Sequence, residues 1–256
     1  MRLFVSSVCA FFMLFATALA YTPYTIDQLH AEILNTSVRI DLSKNGGCGS
    51  GEVVYSEKRD DEWHTYVLTN HHVVAPHTQR VIEGPNLVLK YEPLELTTLQ
   101  HGNLGKDVDV KTYMADIVAY DERRDLALLR LKNKKEGVLY TTPISKEPSS
   151  TPVGTEIWAV GSDVCQVPFP TKGIVSLVYR KEDLRFIQYD AGTFKGKSGG
   201  GLYHFSSQKG RFELIGVVVA VAGVSNMALI PHMGVAIHND TVRSFLKEKG
   251  YAFILK

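Results

Sequence analysis

Gly196-Lys197-Ser198-Gly199-Gly200-Gly201 runs directly into the apolar Leu202 and Tyr203. A flexible linker does not normally lead straight into an apolar run, and a phosphate-binding loop needs a strand before it and a helix after it. A tight turn that presents one hydroxyl beside free backbone N–H groups fits the stretch better, and that is the geometry a serine nucleophile needs. A serine hydroxyl is a weak nucleophile at neutral pH, so this reading requires a base, usually histidine, and a carboxylate to orient it.

Nine histidines are present, and two are adjacent in Thr69-Asn70-His71-His72-Val73-Val74, just after the apolar Val67-Leu68. Further on, Asp121-Glu122-Arg123-Arg124-Asp125 leads into Leu126-Ala127-Leu128-Leu129-Arg130-Leu131. Asp125 stands at the mouth of an expected buried strand, where a carboxylate is poorly hydrated and wants a donor such as an imidazole N–H. A histidine near a strand is most often structural, and an aspartate before one is usually a turn residue. The three features in the order His, Asp, Ser are far more specific than any one of them.

The surroundings read as β structure. From Val38 to about Ala236, short runs rich in β-branched and aromatic residues alternate with turn residues, as at Gly51–Tyr55, Trp63–Leu68, Leu126–Leu131, Phe186–Tyr189 and Phe212–Ala222. That pattern indicates an all-β barrel or sandwich. Thr25 and Gln28 have capping-box spacing before a helical face of Ile26, Leu29, Ile33 and Leu34. Asn239-Asp240-Thr241 is suited to cap a second helix carrying Val242, Phe245 and Leu246 and stopped at Gly250. The polar stretch 132–152 is the candidate connection between two halves.

The chain has 256 residues, 45% hydrophobic and 21% charged, with a formal net charge of +1. No basic or acidic block points to nucleic acid. Residues 1–20 differ: a short basic start, an apolar run, and Ala18-Leu19-Ala20 read as a secretory signal peptide cleaved after Ala20, with an uncleaved anchor as the alternative. Two cysteines remain beyond it, Cys48 and Cys165, which in an exported protein suggest one disulfide, against the alternative of two buried thiols. Neither has a partner at C-x-x-C spacing, so no metal site is expected, and no cofactor is implied. Asn35-Thr36-Ser37 and Asn239-Asp240-Thr241 fit the N-glycosylation pattern.

TNHHVV, DLALLRL and GKSGGGL together resemble the catalytic blocks of trypsin-like (chymotrypsin-clan) serine endopeptidases, and within them the protease domain of the bacterial high-temperature-requirement (Deg) stress proteases. Gly49–Val54, Val160-Gly161-Ser162, Gly173–Ser176 and Gly234–Ile237 extend the resemblance over roughly residues 38–250. It implies an all-β fold of two perpendicular six-stranded antiparallel barrels, the first at about residues 38–135 and the second at about 150–238, with a C-terminal helix at about 240–249. It implies His72 as general base, Asp125 as its orienting carboxylate, Ser198 as nucleophile, and the N–H groups of Gly196 and Ser198 as an oxyanion hole. By the family's pattern Gly192, Thr193, Val219, Ala220, Val221 and Gly234 form the primary substrate pocket. That pocket has no acidic base and an apolar wall, which suggests a small or medium apolar P1 residue. A Cys48–Cys165 bond would fasten the two barrels beside the active site.

The departures from that pattern are specific. Trypsin-type enzymes carry an aspartate just before the serine, which pairs with a new N-terminus after activation; this chain has Lys197 there, so no activation of that kind is expected. The usual proline after the two glycines is Gly201, which predicts a softer loop. No PDZ module follows within the sequence. The expectation is a secreted or periplasmic, monomeric endopeptidase acting on proteins or peptides, with no stable membrane insertion after signal cleavage. The alternative is a relative that kept the fold as an inactive binding or adhesion module. An α/β-hydrolase is excluded by the missing G-x-S-x-G elbow and by the chain order.

Overall fold

A computed structural model describes residues 23–42, 47–83, 86–92, 94–101, 108–138, 140–146, 151–224 and 228–256. The expected signal segment lies outside them. The described residues form fourteen strands: β1 (Ser37–Leu42), β2 (Gly47–Arg59), β3 (Glu62–Thr69), β4 (Thr78–Glu83), β5 (Asn86–Tyr91), β6 (Leu94–His101), β7 (Val108–Asp121), β8 (Leu126–Leu131), β9 (Glu156–Gly161), β10 (Phe169–Lys181), β11 (Leu184–Tyr189), β12 (Gly201–Ser206), β13 (Arg211–Val224) and β14 (Ala228–His238). Two six-stranded barrels close in the orders β1-β2-β3-β8-β7-β6 and β10-β11-β14-β13-β12-β9, with every pairing antiparallel; β4 and β5 form a separate hairpin. This is the double barrel that the resemblance implied.

Strand periodicity explains the apolar runs. Successive side chains on β8 point to opposite faces. Ala127, Leu129 and Leu131 fill the first barrel, while Leu126 and Leu128 pack against the second. Both faces are buried, so DLALLRL reads as a continuous apolar run rather than an alternation. On β12, Leu202 enters the second barrel's core, and Tyr203 and Phe205 join the shared layer between barrels. That layer also receives both chain ends. Tyr24, Leu29, Ile33 and Leu34 enter it from the N-terminal side, and Val242, Phe245 and Leu246 from the C-terminal helix.

The N-terminal helix starts with a true capping box between Thr25 and Gln28. It is short: α1 (Ile26–Leu29) widens into a π-helical turn over His30–Leu34, and Ile26 is exposed rather than on the buried face. A second helical turn, α2 (His71–Val74), follows β3. In the C-terminal helix α3 (Asn239–Glu248) the cap is His238, one residue earlier than expected, whose Nδ1 accepts the Asp240 N–H at 3.1 Å. Asn239 is instead buried, and its amide donates to Ser145 O at 3.1 Å. Asn35 is buried too, so neither glycosylation pattern offers its asparagine to solvent.

Candidate active site

Three turns carry Asp125, His72 and Ser198. Asp125 occupies the turn from β7 to β8 at φ +51°, a left-handed conformation that aspartate tolerates better than most residues. Asn70, at the end of β3, fixes that turn by donating from its amide to Asp125 O at 2.9 Å. The Asp125 carboxylate then grips His72 twice. Oδ1 accepts the His72 backbone N–H at 2.8 Å, and Oδ2 lies 2.7 Å from the ring Nδ1. A ring held through Nδ1 turns its other nitrogen away from the carboxylate. His71 is occupied elsewhere, stacked on Tyr120 with ring centroids 5.2 Å apart.

The Ser198 hydroxyl donates to Val219 O at 2.9 Å. No hydrogen bond joins it to His72 among the described residues. The backbone around it is fixed by its carbonyls. Lys195 O accepts from Val164 N at 2.7 Å, Gly196 O from Ser50 Oγ at 2.7 Å, Lys197 O from Gly200 N at 2.9 Å, and Ser198 O from Ser50 N at 2.8 Å. In a planar trans peptide the C=O and N–H point in opposite directions. Anchoring the carbonyls of Lys195 and Lys197 therefore directs the N–H groups of Gly196 and Ser198 the other way. Among the described hydrogen bonds neither of these N–H groups has an acceptor. Gly196 adopts φ +103°, and a Cβ there would lie 2.2 Å from Ser162 O, so only glycine fits.

The family described as trypsin-like peptidase domain matches residues 49–217, more than half of the sequence. The chain belongs to the trypsin-like peptidases. It is 30% identical over 148 residues to the serine protease HTRA1 of Xenopus tropicalis, covering 55% of this chain and 29% of that protein. It is 28% identical over 207 residues to the periplasmic pH-dependent serine endoprotease DegQ of Escherichia coli, covering 79% of this chain and 37% of that protein. The chain thus spans about a third of the length of the curated relatives it matches. In fold it resembles a serine endoprotease from Yersinia pestis, with a TM-score of 0.61 at 22% identity, covering 90% of this chain and 68% of that one.

Two departures from the trypsin-like pattern have a physical reason. The Gly201 N–H donates to Glu52 Oε1 at 2.6 Å, and a Cβ at Gly201 would lie 2.2 Å from the Tyr203 ring. Proline has no N–H to give. The loop is therefore not softened by losing proline but tied to the first barrel through a buried carboxyl. Glu52 also accepts from Ser37 and from the Tyr203 hydroxyl, and burial pushes its pKa up to about 8. Lys197, the second departure, is fully buried and forms an ion pair with Asp163 at 2.9 Å. Burial pulls the Lys197 ammonium below its ordinary value and lifts the Asp163 carboxyl above its own, each partner opposing the other's shift.

Cys48 and Cys165 are joined, with Cα atoms 5.6 Å apart. The bond links β2 to the turn that holds Lys195 O, where Val164 and Cys165 both sit at positive φ, +47° and +61°. For the β-branched Val164 that conformation is strained.

The residues assigned to the pocket are partly described. Val219 supplies the carbonyl that holds Ser198; the side chains of Ala220 and Val221 lie outside the described residues. Gly192 O accepts from Thr171 Oγ1 and Lys197 Nζ, each at 2.8 Å, while Thr193 and Gly234 come together around Tyr189. Tyr189 pairs with Gly234 across β11 and β14, and a Cβ at Gly234 would lie 2.3 Å from the tyrosine ring. The Tyr189 hydroxyl reaches Thr193 Oγ1 at 3.0 Å, and the ring is fully buried. Ser50 and Glu52 lie in a stretch that the sequence marks only as a strand, and Asp163 and Val164 carry no signal of their own. Their roles rest on contacts over 112 to 151 positions for Ser50 and Glu52, for which no local motif exists. Among the described residues, no group of three or more His, Cys, Asp and Glu could hold a metal ion.

Proposed function

We propose that this chain is a serine endopeptidase of the Deg type, with Ser198 as nucleophile, His72 as general base and Asp125 as its orienting group. The two-point grip of Asp125 on His72, beside two N–H groups without an acceptor, carries the reading. Ser198 Oγ attacks the scissile carbonyl carbon and gives its proton to His72 Nε2. The negative carboxylate at Nδ1 stabilises the imidazolium that forms. The carbonyl oxygen becomes an oxyanion and takes hydrogen bonds from Gly196 and Ser198 N–H, each worth about 3 kcal/mol of barrier. His72 then protonates the leaving amine, the C–N bond breaks, and an acyl-Ser198 ester remains. Water, deprotonated by His72, hydrolyses that ester and restores the serine.

The catalytic unit is the pair of barrels, at about residues 38–135 and 150–238. Proteins or peptides are the substrates, and a small apolar P1 residue is preferred, because Tyr189 packs into the space between Gly234 and Thr193. The leader-like first twenty residues and the periplasmic location in the name of DegQ support a secreted or periplasmic location.

A fluorophosphonate probe on purified protein, beside Ser198→Ala and His72→Ala, tests the assignment. Labelling of wild type and of neither variant is expected. Folded wild type that stays unlabelled would overturn it.

A further inference from the structure

The geometry points to Lys197 and Asp163 as a positioning pair, a buried ion pair that holds the backbone around Ser198 in the form able to bind an oxyanion. The inference rests on the reading of Ser198 as nucleophile. Lys197 directly precedes that serine, yet its side chain runs inward and is wholly buried. Its ammonium has three N–H donors. It meets Thr171 Oγ1 at 2.8 Å, Gly192 O at 2.8 Å and Asp163 Oδ2 at 2.9 Å, and lies 5.4 Å from the centre of the Phe169 ring. One charge thereby joins β10, the segment before the nucleophile, and the turn after β9.

Asp163 completes the clamp. Its Oδ1 accepts the Phe194 N–H at 2.9 Å, and the next residue, Val164, donates to Lys195 O at 2.7 Å. Three successive links therefore connect the turn 162–166 to the segment 194–197. The third of them fixes the peptide whose N–H belongs to Gly196. Neutralising either partner leaves the other charge buried and unpaired, a state proteins escape by rearranging or admitting water. Here the rearrangement falls on the peptide that must keep its N–H directed at the substrate. Both partners lie on turns of the second barrel, so the pair forms without cleavage of the chain.

The test uses the full-length protein with Lys197→Met, Asp163→Asn and the double variant Lys197→Met/Asp163→Leu, which removes both charges and retains a folded candidate if the single variants do not fold. Turnover per folded molecule is measured on a peptide substrate, with Ser198→Ala as the blank. Amide hydrogen exchange at 194–200 is followed in parallel. Each folded variant is expected to lose about 100-fold in kcat, the scale of one oxyanion donor, with KM within about threefold. Its amides at 194–200 are expected to exchange at least about tenfold faster, while those of the first barrel stay unchanged. Folded variants with kcat within about threefold of wild type would overturn the pair, as would unchanged exchange at 194–200. Absence of Ser198-dependent turnover in wild type would refute the nucleophile assignment instead, and the exchange readout would still decide the pair.

Discussion

The backbone N–H of Gly201 and the buried carboxyl of Glu52 lie 2.6 Å apart and bridge the two barrels three residues beyond Ser198. Gly201→Pro is expected to harm this protein. It removes the donor and places ring atoms against Tyr203. A drop in Tm of several degrees, together with loss of turnover, is the expected result. A variant as stable and active as wild type would show that the bridge contributes nothing.

The same carboxyl makes stability depend on pH. Burial raises the Glu52 pKa from 4.5 to about 8, so the folded state keeps a proton that the unfolded chain releases. The favourable contribution is complete below 4.5, declines as pH rises, and is lost above about 8. The total is on the order of a few kcal/mol. In denaturant titrations across that window, wild type should lose stability relative to Glu52→Gln, which cannot ionise. Parallel curves for the two proteins would refute the assignment.

Reduction should weaken both stability and activity. The Cys48–Cys165 bond closes a separation of 117 residues, for which the chain-entropy model gives about 4–5 kcal/mol. It also secures the turn whose Val164 N–H holds Lys195 O. Cys48→Ser/Cys165→Ser is expected to lower Tm and, at temperatures where it remains folded, to lower kcat more than it raises KM. Equal kcat in the folded double variant would confine the bond to a structural role.

Tyr189 should set the size of the P1 residue. Tyr189→Val opens space beside Gly234, and cleavage after leucine or phenylalanine is expected to rise relative to alanine by about 10-fold or more, the scale of a few methylenes in an apolar pocket. Tyr189→Phe keeps the ring and should leave the profile unchanged. Peptide-library profiling of both variants checks this, and an unaltered profile in Tyr189→Val would remove Tyr189 from the pocket.

The sequence by itself determined that the chain is all-β, while the two barrels and the grouping of His72, Asp125 and Ser198 came from its resemblance to trypsin-like peptidases. Leu126–Leu131 reads as a strand buried on both faces, and Asp125, His72 and Ser198 each adjoin an apolar run that fixes where they emerge. These signals are local, carried by periodicity and by neighbours within a few residues. The tertiary structure alone decided what Lys197 and Gly201 touch, because their partners, Asp163 and Glu52, lie 34 and 149 positions away in the chain. It likewise decided that His238 rather than Asn239 caps α3, since Asn239 is drawn inward by Ser145. A buried charge or an orphan N–H is satisfied by whatever the fold brings within about 3 Å, and sequence spacing carries no record of that choice.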